Sequence, residues 1–125
     1  GNVYAGGSTS SSGFATSGAF QTAYPGGTLE GFVAKYSPAG GLQFRTYIGG
    51  AGIDYVTALS AVTSGVLVAG YTVSPNFPLV SPAQAGHGGD YDAFVCNLNP
   101  AGTALTFSTL LGGRGSVGNF VCGRA

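Results

Sequence analysis

Chemistry needs side chains that titrate, attack or hold a metal, and this chain carries few of them. Its 125 residues include four acidic, four basic and one histidine side chain. The acidic residues are Glu30, Asp54, Asp90 and Asp92, the histidine is His87, and the two thiols are Cys96 and Cys122. His87 stands in Gly86-His87-Gly88-Gly89-Asp90-Tyr91-Asp92. A histidine beside aspartates is half of a catalytic pair or of a metal site. Here no second histidine and no Gly-x-Ser-x-Gly nucleophile turn accompanies it, so it reads as a loop histidine. Glu30, Asp54 and Asp92 fall at strand starts or turns. Carboxylates and loop carbonyls are calcium ligands, but there is no Asp-x-Asp-x-Asp loop. The competing reading is carboxylates that accept backbone N–H bonds in glycine-rich turns. Tyr71 and Tyr91, with His87 and Asp90, form the candidate ligand-binding set, because an aromatic ring with a polar handle stacks on sugars or on a partner surface. The same rings would equally fill a gap between sheets. No catalytic constellation emerges, and the chain reads as a non-enzyme.

The bulk numbers narrow the classes further. Charged residues make up 6% of the chain, against roughly 25% in ordinary soluble domains. The charges cancel, so nothing steers the protein to nucleic acid or to an anionic membrane, both of which need a basic patch. A near-neutral surface with few charges favours self-association. Twenty-four glycines and six prolines approach the level at which disorder must be weighed, but 15 Phe and Tyr residues and alternating Val and Leu are what disordered chains lack. No apolar run is long enough to span a membrane as a helix. With no methionine, the sequence reads as a mature, processed or excised segment.

The elements that must position these residues occur twice. Glu30-Gly31-Phe32-Val33-Ala34-Lys35-Tyr36 leads through Pro38-Ala39-Gly40 into Leu42–Ile48 and Gly49-Gly50. Asp92-Ala93-Phe94-Val95-Cys96-Asn97-Leu98 leads through Pro100-Ala101-Gly102 into Leu105–Leu111 and Gly112-Gly113. A fixed period of this size marks a repeat architecture. Phe32, Ala34 and Tyr36 share one face of a strand, as do Phe94, Cys96 and Leu98. Pro-Ala-Gly is a turn that closes a hairpin. Residues 1–6 are expected to be a short strand ending at Gly6, matched by Gly65–Gly70, and Tyr55–Val62 a further strand. Residues 8–29 and 72–90 are long connections pinned by aromatics. No segment carries a helical period. The expectation is an all-β protein built of four-stranded antiparallel blades of β-propeller type, as two repeats of about 62 residues. Residues 1–53 hold strands two to four of one blade, 54–116 a complete blade, and 117–125 the first strand of a further one.

Gly1-Asn2-Val3-Tyr4-Ala5-Gly6, Asn76-Phe77-Pro78, Asp92-Ala93-Phe94-Val95, Pro100-Ala101-Gly102 and Tyr47-Ile48-Gly49-Gly50-Ala51-Gly52-Ile53-Asp54 together resemble the bacterial SBBP β-propeller repeat over nearly the whole chain. The chain departs from that pattern at Val117, where an Asp is usual, at Thr63, and at Cys96-Asn97. The resemblance implies a secreted or cell-surface bacterial protein, a propeller-type fold and no general catalytic activity. That setting permits a disulfide between Cys96 and Cys122, within one chain or between copies, with two buried free thiols as the alternative. Two blades cannot close a propeller. The expected function is therefore a non-catalytic scaffold that completes its blades between copies, as ring or filament, or within a longer chain. The alternatives are a carbohydrate-binding propeller module and a fragment of a larger secreted enzyme. The expected partners are copies of the chain or adjoining blades, with glycan as a further candidate.

Overall fold

The computed structural model describes residues 1–86 and 90–112. Seven strands follow one another: β1 (Val3–Thr9), β2 (Glu30–Tyr36), β3 (Leu42–Ile48), β4 (Asp54–Val62), β5 (Gly65–Thr72), β6 (Asp92–Leu98) and β7 (Leu105–Leu111). They form two open antiparallel sheets, ordered β1-β2-β3 and β4-β5-β6-β7. The protein is all-β, and no helix occurs among the described residues. Accordingly, none of these residues belongs to a helix long and apolar enough to cross a membrane. Each connection within a hairpin is set by a residue that tolerates positive φ: Gly40 at 90°, Gly65 at 130° and Gly102 at 73°.

β1 and β5 do not stop at glycine as the sequence suggests; they run on to Thr9 and Thr72. The pairing also moves the correspondence between them by one residue. Phe32 lies opposite Gly7, and Phe94 lies opposite Gly70, so Gly7, not Gly6, stands where Gly70 stands. The reason is steric. A Cβ at Gly70 would lie 2.9 Å from the Phe94 ring, and one at Gly7 would lie 3.3 Å from the Phe32 ring. These glycines make room for an aromatic ring across the strand pair and do not end the strand.

The core lies between the sheets. Val56, Val66, Val68, Phe94, Cys96, Leu98, Leu105 and Leu110 from the second sheet meet Val33, Phe44 and Ile48 from the first, and Phe77 joins from the connection after β5. Gly6 and Gly31 allow the close approach of β4, since a Cβ on either would lie within 3.0 Å of Val56 side-chain atoms. The turn after β6 seats on the first sheet. Gly102 lies against the Phe44 ring, its carbonyl accepts from Phe20 N–H at 2.7 Å, and Lys35 Nζ donates to Pro100 O at 2.8 Å. The 99–102 turn and β4 thus cover one face of the first sheet.

Candidate functional site

An edge strand presents unpaired N–H and C=O groups to any chain that can add to it. Two of the outer edges are closed by the long connections, in the same way. Gln21 N–H donates to Thr46 Oγ1 at 2.9 Å, Tyr47 N–H donates to Gln21 O, and Gly49 N–H donates to Gln21 Oε1 at 3.0 Å. Sixty-three residues later in sequence, Gln84 N–H donates to Thr109 Oγ1 at 3.0 Å, Leu110 N–H donates to Gln84 O, and Gly112 N–H donates to Gln84 Oε1 at 3.1 Å. One glutamine therefore clips the outer edge of β3 and another that of β7. β1 has no such cover: among the described residues it pairs only with β2, and Val3, Ala5 and Gly6 are exposed. In the second sheet the equivalent strand, β5, carries β4 along its whole length.

Of the sequence-derived ligand set, Tyr71 and Tyr91 come together, with ring centroids 5.4 Å apart at 78°. Tyr55, which sequence reasoning left out, completes the cluster at 4.7 Å from Tyr71. It sits opposite Tyr71 in the β4–β5 register. All three rings are half-buried, and Asp90 beside them is exposed. Burial, then Tyr55, Tyr71 and the Asp90 charge, push the Tyr91 hydroxyl above its ordinary pKa. His87 lies outside the described residues.

Glu30, Asp54 and Asp92 each begin a strand and are each fully buried. Asp54 accepts from Gly50 N–H at 3.1 Å, from Ser74 Oγ at 2.9 Å and from Thr72 Oγ1 at 2.5 Å, as expected of a carboxylate in a glycine-rich turn. Glu30, from the other sheet, meets it carboxyl to carboxyl: a Cβ on Gly49 would strike Glu30 Oε1 and lie 2.6 Å from Asp54 Oδ2. Among the described residues neither Glu30 oxygen receives a hydrogen bond from any group that is a fixed donor. The contact is therefore satisfied when Glu30 is protonated and donates to Asp54. Burial first, then the Asp54 charge, push the Glu30 carboxyl up to about 9. Burial also raises Asp54, against the pull of its hydrogen bonds. No cluster of three or more His, Cys, Asp or Glu side chains able to hold a metal occurs among the described residues.

Cys96 is fully buried, and burial pushes its thiol up to about 12. It occupies the small apolar place held by Ala34 in β2. Cys122 lies outside the described residues, and with it the pairing of the two thiols and the strand expected over 117–125. No protein-family model matches the chain, and no curated protein matches it.

Proposed function

We propose that the protein is a non-catalytic, extracellular structural module of β-propeller type, related to the SBBP repeat. In this reading its two sheets are successive blades, and it assembles by adding a strand to the one that has three among the described residues. The observation that carries this reading is the open β1 edge, set against β5, where β4 occupies the same place. Main-chain bonding along a seven-residue strand is how β-addition gains affinity. The clipping of β3 and β7 supports it, because among the described residues it leaves the β1 and β4 edges for pairing. The scarcity of charge removes the usual guard against association. Light scattering on undenatured protein tests the proposal. A mass above the 12.3 kDa of one chain supports it, and one of 12.3 kDa at every concentration opposes it.

A carbohydrate-binding module is the second reading, favoured by the Tyr55–Tyr71–Tyr91 cluster beside exposed Asp90. Glycan-array binding that disappears in Tyr71→Ala would select it over the scaffold.

A further inference from the structure

The two faces of the second sheet are unequal. One is buried against the first sheet; the other carries Leu67, Tyr71, Val95, Phe107 and Leu111. The first four of these are half-buried and Leu111 is 46% exposed. Cross-strand pairs place this face in register with a face of the first sheet that is already covered. Val33 pairs with Thr46 and Lys35 with Phe44; Val95 pairs with Thr109 and Asn97 with Phe107. Val33 and Phe44 are 0% and 4% exposed because β4 and the Gly102 turn lie on them. Val95 and Phe107 stand at the corresponding places of their own sheet, and among the described residues no strand and turn cover them in that way.

The first sheet in turn owns an unused copy of what does the covering. Pro38-Ala39-Gly40 repeats Pro100-Ala101-Gly102, and both glycines have positive φ, 90° and 73°. Gly102 is pressed on the Phe44 ring, which a Cβ would strike at 2.5 Å; Gly40 has nothing within 4 Å of where its Cβ would be. Among the described residues Gly40 thus has an open contact side, and Phe107 is half-buried with no such turn on its ring. We infer that the Leu67–Val95–Phe107–Leu111 face is a head-to-tail interface for a second copy of this chain, whose Gly40 turn seats on Phe107 as Gly102 seats on Phe44. The inference rests on the scaffold reading and names a second surface, beside the β1 edge, through which the copies meet. Because donor and acceptor patches differ, the contact is heterologous and repeats along a ring or filament.

Two surface variants test it. Leu111→Lys puts a charge in the proposed interface at a position exposed in the single chain. Gly40→Asn keeps a residue that tolerates positive φ but adds a Cβ where the Phe107 ring of the next copy would lie. Both are measured by light scattering and thermal melting, with hydrogen exchange at β1 on the same samples. The expected result is melting close to that of the parent chain in dilute solution, with loss of the high-mass species in both variants. Retention of that mass in both variants, with β1 amides still protected, would overturn the interface and leave the scaffold reading standing. A parent chain that stays single at every concentration would overturn both.

Discussion

Replacing Glu30 by glutamine tests the buried carboxyl pair. Glu30 comes from the first sheet and Asp54 from the second, and both are fully buried. In the folded chain Glu30 holds its proton up to about pH 9, against an ordinary value of 4.5. The folded state thus binds this proton more tightly than the unfolded state. That contribution is fully present below pH 4.5 and declines as pH rises toward 9, with a slope of up to about 1.4 kcal/mol per pH unit. From about pH 5 to about pH 8 the ceiling is roughly 4 kcal/mol. Side-chain relaxation and water entry, which give even buried sites an effective dielectric near 20, bring the expected loss to about 1–3 kcal/mol. Glutamine has the shape of the protonated acid, can donate to Asp54 and does not titrate. Urea unfolding at the two pH values should show the parent chain losing about 1–3 kcal/mol relative to Glu30→Gln, with the variant the more stable at the higher pH. Equal pH dependence of the two chains, or a parent that gains on the variant as pH rises, would refute the reasoning.

Other positions give sharp expectations. Phe94→Ala removes a fully buried ring that stacks at 4.3 Å on Phe77 and should cost about 3–5 kcal/mol in denaturant unfolding. Gly102→Ala combines positive φ with a collision on the Phe44 ring; a loss of about 1–3 kcal/mol is expected by thermal melting. Gln84→Ala opens the clip on β7 and should cost about 1–2 kcal/mol, with faster hydrogen exchange at the Leu110 and Gly112 amides. In a Cys122→Ser background Cys96 should resist thiol reagents until the chain unfolds, because its thiol is buried with a pKa near 12.

Much of the fold was legible because alternation has a period of two. Phe32, Ala34 and Tyr36 announce β2 and its facing, and the Pro-Ala-Gly turns announce both hairpins. The end of β1 was not legible. Glycine is read as a breaker, and its use as space for Phe32 or Phe94 is visible only once the register is known. Glu30 and Asp54 were each placed at a strand start, but their contact was hidden: it exists only because two separate sheets pack. Tyr55 joins Tyr71 and Tyr91 through the β4–β5 register, which residue spacing does not state. The glutamine clips did leave a signal, since Gln21 and Gln84 each stand 25 residues before the threonine they bind.

The most direct test of the account is residue-resolved hydrogen exchange along β1, compared between dilute and concentrated protein. Assembly by strand addition predicts that the β1 amides not bonded to β2 exchange quickly in the single chain and become protected as mass grows. Growth in mass with those amides still exchanging freely would contradict it.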